Sequence, residues 1–258
     1  SMPFDALLTQ APGMRGDFQS YPYLMKQFRI SYAYSASLLR EAEQLTSDRK
    51  SSRKPLLASA PFDSLYPELQ STRFSVLRES AREVSEARGY LGGDVLTGRQ
   101  ATKEKVLALM KAYRILLFSL HGKAGDEGYI AFFPENGQDH LLRTSEVFDL
   151  DLDADLVIFS ACETALGPSK PGEGLISLAR AFTYAGARGL LTTLWKMNEF
   201  SSSGITVNVC RHLRNKVPAH QAIWQAKREW VANGTGETAH PWYWAGIVGM
   251  GALGPTSN

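Results

Sequence analysis

Cysteine is scarce in this sequence: its 258 residues include two, Cys162 and Cys210. A secreted framework stapled by disulfides uses more, so a reducing, cytoplasmic setting is expected and the sequon Asn233-Gly234-Thr235 is incidental. An excess of one charge is also lacking. Lys and Arg number 28 against 26 Asp and Glu, a net charge of +2. That balance gives no reason to expect nucleic acid or an anionic membrane as a partner. Long apolar runs are missing too. The uncharged stretch from Trp242 to Leu253 is rich in glycine and falls short of the roughly 20 residues of a membrane span. No basic patch followed by an apolar run opens the chain, so no signal peptide is read. The opening Ser1-Met2-Pro3-Phe4 enters structured sequence at once, which suggests a piece cut from a longer chain.

What is present is an ordinary globular composition, 44% hydrophobic and 21% charged, enough for a sizeable core. Thr46 to Lys54 reads as a polar, basic surface loop. Beyond it two periods alternate. Short apolar runs at 54–59, 115–118, 156–159 and 189–194 predict strands buried on both faces. Helical spacing is expected over 69–88, ending before Gly89, and over 101–112, where Val106, Leu109, Met110 and Tyr113 share a face. Further helices are expected at 174–185 (stopped by Gly186), 202–214 and 219–231. Strand alternating with helix predicts an α/β fold, a mostly parallel sheet with helices on both faces. Such sheets collect function beyond the carboxyl ends of their strands.

Two of those ends carry chemistry. His121-Gly122 follows the run at 115–120, and Ser160-Ala161-Cys162-Glu163-Thr164 follows the run at 156–159. On neighbouring strands, His121 and Cys162 would emerge together. A thiol is mostly protonated at neutral pH, and an adjacent imidazole can take its proton and later give it to a leaving amine. Gly122 offers an unobstructed backbone N–H that, with that of Cys162, would hold a developing oxyanion. Residue types alone leave a blander reading open: a cysteine at a strand end is most often a small buried hydrophobe. The other histidines and Cys210 form no zinc spacing, and glycines 167, 172 and 174 lack the lysine of a phosphate cradle. Asp151, Asp153 and Asp155 alternate without the glycine and closing glutamate of a calcium loop, so they read as an exposed approach to a strand.

The segments LVIFSACETALG, GEGLISLARAFTYAGARGLLTTLW and HPWYWAGIVGMG resemble the CHAT domain family. Its members are caspase-like cysteine peptidases of clan CD, related to separase and often appended to tetratricopeptide repeats. PFDALL, YLMKQFRISYAYSASLL, ATKEKVLALMKAYRILLFSLHG and the GYIAFF hairpin extend the resemblance over nearly the whole chain. It implies one domain over 1–258, excised from a longer repeat-containing protein and trimmed ahead of the family's first strand. It implies a caspase-like sheet, peptide-bond cleavage by His121 and Cys162, a protein or peptide substrate, a regulatory tetratricopeptide-type repeat domain, and no metal or organic cofactor. The sequence departs from the family at Ser119-Leu120, where Ala-Thr is usual before His-Gly. It departs again at Lys196-Met197-Asn198-Glu199, where an acidic pair usually follows Leu194-Trp195.

A basic residue before the cut bond would need a carboxylate in a cleft. The candidates are Glu163, Asp155, Asp126, Glu127 and Glu199, with Trp195 as a pocket wall. Two other functions stay open beside an endopeptidase gated by a partner or fused repeat domain. One is an inactive CHAT-like interaction module. The other is a small-molecule hydrolase or acyltransferase on the same dyad, although the Gly-x-Ser-x-Gly elbow of common α/β hydrolases and an acyl-carrier signature are missing.

Overall fold

The computed structural model describes residues 3–13, 16–44, 52–123, 128–135, 138–161 and 173–254. In chain order they form α1 (Ala36–Gln44), β1 (Lys54–Ala60), α2 (Ser80–Leu91), β2 (Asp94–Thr97), α3 (Lys103–Met110) and β3 (Tyr113–Ser119). Then come β4 (Gly122–Lys123), β5 (Tyr129–Ala131), β6 (Leu141–Arg143), α4 (Thr144–Phe148), β7 (Leu156–Ala161) and α5 (Glu173–Tyr184). The chain continues through β8 (Gly189–Thr193), α6 (Glu199–Arg214), α7 (Ala219–Asn233) and β9 (Ile247–Gly251).

The main sheet has the order β2-β1-β3-β7-β8-β9. All of its pairs are parallel except β8 with β9. Parallel neighbours need helical crossovers, and these cover both faces. Successive side chains of β3 therefore serve two cores. Leu116 and Phe118 join α3 and α5 through Val106, Met110, Leu178 and Phe182. Ile115 and Leu117 join α2, α6 and α7 through Val84, Ala87, Ile205, Val209, Ala222 and Ala226. This alternation explains why the central strands read as unbroken apolar runs. The strands β4, β5 and β6 form a small antiparallel sheet directly after His121.

Three expectations need correction. Helix was expected from Leu69, but only a 3-10 turn, Pro67–Ser71, forms there, and α2 starts at Ser80. The intervening segment crosses the sheet's carboxyl edge instead, and Leu77 N–H donates to Phe62 O at 2.8 Å. Gly89 lies inside α2; Gly92, at φ +73°, ends it and donates to Arg88 O at 2.8 Å. The basic stretch is not solvated to its end, because the Arg53 side chain is 7% exposed and paired with Asp155.

The glycine-rich tail acquires a role that its pattern hides. As β9 it closes one side of the sheet, and its own edge is covered in turn by Tyr32. Tyr32 N–H donates to Gly249 O at 2.9 Å, and Gly251 N–H donates to Tyr32 O at 2.8 Å. Among the described residues no helix is long and apolar enough to cross a membrane.

Candidate active site

The parallel strands β1, β3, β7 and β8 all point their carboxyl ends at one edge of the sheet, and His121 stands there. It follows the last residue of β3 by two positions and is 2% exposed. Its backbone is tied to the small sheet, since Ala131 N–H donates to His121 O at 2.9 Å. Its ring stacks on Phe74 with centroids 5.3 Å apart, and Phe62 meets it edge-on at 4.8 Å. The Nε2 atom lies 2.7 Å from Ser75 O. A carbonyl can only accept, so this contact assigns the proton to Nε2 and makes Nδ1 the basic nitrogen of the neutral ring. Gly122, the next residue, begins β4 and pairs with Ile130.

The neighbouring strand β7 ends beside β3. Phe118 pairs with Phe159, and the next pair is Ser119 with Ala161. Ser160 is therefore an extra residue, a β-bulge at the carboxyl edge. Bulges interrupt the ladder and re-aim the residues that follow. The bulge is held from α6. Ser202 Oγ donates to Ser160 O, Ser160 Oγ lies 3.4 Å from Ser202 Oγ, and Thr206 Oγ1 lies 3.5 Å from Ser160 Oγ. Cys162 is the residue after Ala161. Cys162, Glu163, Asp126 and Glu127 lie outside the described residues.

Beneath this edge, on the α2 and α6 side of the sheet, a carboxyl is buried. Glu83 is 1% exposed, and its Oε2 accepts from Ser119 Oγ at 2.6 Å. The hydroxyls of Ser160 and Thr206 also face it. Burial pushes the Glu83 carboxyl up to about 7, against the smaller opposing effects of those hydroxyls and of Arg82. Cys210, on the same face of α6, is fully buried, and desolvation pushes its thiol far up. It is a core residue with no nucleophilic character.

The remaining candidates separate by sheet edge. Asp155 is at the wrong one. It precedes β7 at the amino end, its side chain is 1% exposed, and Arg53 and Arg188 both bind its Oδ1. Its carboxylate holds two buried guanidinium groups and cannot line a pocket beside His121. The reading of the three alternating aspartates as an exposed approach fails at Asp155 for the same reason. Trp195 and Glu199 are at the right edge. Trp195 follows β8 by two residues, stacks on Trp242 at 5.6 Å and 17°, and donates from Nε1 to Trp242 O at 3.2 Å. Glu199 is the first residue of α6, whose N-cap Asn198 accepts from Ser201 N–H at 3.2 Å.

Sequence reasoning did not find Ser75, Phe62, Phe74 or Glu83. A backbone carbonyl has no sequence signature, and aromatic packing on His121 requires a segment distant in the chain. A faint signal existed for the hydroxyls: Ser119 and Ser160 stand two residues before His121 and Cys162.

Comparisons with known proteins agree with this architecture. A model of the CHAT domain matches residues 1–252. Tetratricopeptide repeat protein 28 of Mus musculus is 26% identical over 211 residues, which is 67% of this chain and 8% of that protein. The human protein of the same name is 30% identical over 115 residues, 45% of this chain and 4% of that protein. This chain therefore spans less than a tenth of the length of these relatives. Among solved structures, separase in the Saccharomyces cerevisiae separase–securin complex aligns with 92% of this chain and 15% of its own, at TM-score 0.58 and 12% identity. The Arg-specific cysteine proteinase gingipain R aligns with 79% of this chain and 47% of its own, at TM-score 0.50 and 11% identity. These likenesses establish the α/β fold of the caspase-like cysteine peptidases.

Proposed function

This chain belongs to the CHAT domain family, and on that premise we propose that it is a cysteine endopeptidase using His121 and Cys162. The observation that carries this reading is the way His121 is held. Ser75 O fixes Nε2 at 2.7 Å, which leaves Nδ1 as the base, at the end of the strand beside the one that Cys162 follows.

In this mechanism Nδ1 takes the Cys162 proton and the thiolate attacks the scissile carbonyl carbon. The N–H groups of Gly122 and Cys162 hold the oxyanion, and the imidazolium returns its proton to the leaving amine. Water then attacks the thioester carbonyl with Nδ1 again acting as base, the C–S bond breaks, the acid product leaves, and the imidazolium returns its proton to the Cys162 sulfur. Phe62 and Phe74 restrict the ring to one orientation and keep water from its faces. Trp195 and Glu199 would line the substrate side beyond β7. The 2% exposure of His121 supports gating: a partner or fused repeat domain would open the edge.

A second reading has its own support. The sequence relatives carry a tetratricopeptide repeat name, and a protein-interaction module without turnover would fit a buried histidine equally well.

An electrophilic peptide probe separates the two. The peptidase predicts covalent labelling at Cys162 that is lost in Cys162→Ala and strongly reduced in His121→Ala. Labelling that persists in Cys162→Ala refutes the dyad. Absence of labelling, with and without a fused repeat domain, favours the interaction module.

A further inference from the structure

The buried carboxyl of Glu83 is used by no step of that mechanism, yet it sits where the two reactive strand ends are joined. Ser119 of β3 makes its hydrogen bond, the hydroxyls of Ser160 on β7 and Thr206 on α6 face it, and its Oε1 is buried without a hydrogen-bond partner. Ser119 Oγ donates to Oε2 at 2.6 Å, and Ser119 is paired with Ala161, the residue before Cys162. The Ser160 bulge fixes how far β7 is offset from β3. Its carbonyl accepts from Ser202 Oγ on α6. An apolar residue at position 83 would fill the space but would not hold β3.

We propose that Glu83 is a positioning residue that clips the end of β3 to α2 beside the Ser160 bulge of β7, and that its protonation state sets the reactivity of Cys162. The proposal rests on the dyad reading above. Two hydrogen-bonding states are available to the clip. As an acid, Glu83 can donate from Oε1 to a facing hydroxyl; as an anion it accepts from Ser119 and leaves Oε1 a buried charge without a hydrogen-bond partner. The change therefore alters the hydrogen bonding beside the bulge and places a negative charge in a low-dielectric layer below the carboxyl edge of the sheet.

Among the described residues the charged and titratable neighbours are few. Arg82, on the same helix, is the facing cation, and it is engaged by Glu79 and Glu86 at 2.7 and 3.1 Å. From α6 the titratable neighbour is Cys210; Ser202 and Thr206 there, and Ser119 and Ser160 on the strands, are uncharged. The raised titration range of Glu83 puts the change between its two states near neutral pH.

The test is the rate of alkylation of Cys162 by iodoacetamide, followed by peptide mass spectrometry from pH 5.5 to 8.5 in the wild type, Glu83→Gln, Ser119→Ala and His121→Ala. Glu83→Gln keeps shape and hydrogen bonding but cannot ionise. It should match the wild type to within about twofold at pH 6 and lose the wild-type inflection near neutrality. Ser119→Ala, which removes the hydrogen bond of the clip, should shift the rate by up to roughly tenfold, as for a thiol whose pKa moves by one unit. A residue that merely stabilised the fold would lower the melting temperature and leave the pH profile of the folded protein unmoved. If His121→Ala slows alkylation while Glu83→Gln and Ser119→Ala both reproduce the wild-type profile, the clip is refuted and the dyad stands. If His121→Ala leaves the profile unchanged, the dyad fails, and the Glu83→Gln profile still decides the clip.

Discussion

Removing Asp5 should destabilise this protein more than any surface change, and much of the cost should be recovered when Lys227 is removed with it. Lys227 lies on α7 with its side chain 2% exposed, and Asp5, on a 3-10 turn near the N-terminus, is 6% exposed. Lys227 Nζ is 3.2 Å from Asp5 Oδ1, donates to Ile247 O at 2.7 Å and sits 5.6 Å from the centre of the Trp244 ring. Burial lowers the Lys227 pKa, and Asp5 opposes that effect. Asp5→Ala therefore leaves an ammonium in an apolar layer, a loss of about 3–5 kcal/mol. Against a typical total of roughly 5–15 kcal/mol, that is a large fraction. Replacing both partners by apolar residues, as in Asp5→Ala with Lys227→Met, should return stability to within about 2 kcal/mol of the wild type.

The pH dependence has a fixed sign. In Asp5→Ala the folded protein favours the neutral amine, so it binds fewer protons than the unfolded chain. The stability of that variant should rise with pH toward the ordinary lysine value of 10.5 and fall as pH is lowered. Urea unfolding of the wild type, both single variants and the double variant at pH 7 and pH 9 gives the coupling energy directly. The reasoning is refuted if Asp5→Ala costs under about 1 kcal/mol, or if the two single losses add in the double variant.

Three other expectations follow from individual residues. The Glu83 carboxyl is held up to about 7 from an ordinary 4.5. Its contribution is therefore complete below pH 4.5 and is lost as pH rises through 7, a change of about 3 kcal/mol. Glu83→Gln should gain on the wild type in denaturant midpoint between pH 5 and pH 8, and an equal difference at both would contradict the assignment. Asp155→Asn removes the carboxylate shared by Arg53 and Arg188, 7% and 6% exposed; Arg53 keeps Asp153 at 3.4 Å, and Arg188 bears the loss. It should cost about 3–5 kcal/mol in urea unfolding and leave iodoacetamide alkylation of Cys162 unchanged, because Asp155 is at the opposite edge of the sheet. Gly186 has φ +110°, and an added Cβ would lie 2.1 Å from Leu152 O. Gly186→Ala should therefore lose about 2–3 kcal/mol and roughly 4–10 °C in melting temperature by calorimetry.

The sequence determined the sheet. Four of its strands were legible as apolar runs, because a strand covered on both faces has no solvent-facing position to interrupt it. Residues 174–185, 202–214 and 219–231 were legible as helices for a related reason, since one stripe of each packs on that sheet and the spacing of the stripe survives in the chain. His121 and Cys162 were both legible as residues following apolar runs, and the family resemblance implied a dyad of the two. Strand β2 is four residues long, and β9 is built on glycine, so neither carries a period strong enough to read.

Tertiary structure alone decided the partners of the charged residues. Asp155 precedes β7 and so stands at the amino edge by its order in the chain, but its burial between Arg53 and Arg188 is not written there. Ser75 contributes a backbone carbonyl, which every residue type possesses. Glu83 looks like one more polar position on an amphipathic helix until β3, β7 and α6 exclude water from it. Periodicity records how one element meets a core; the placing of a proton on His121 and the burial of a carboxyl beneath it depend on segments tens of residues apart, whose meeting no local pattern encodes.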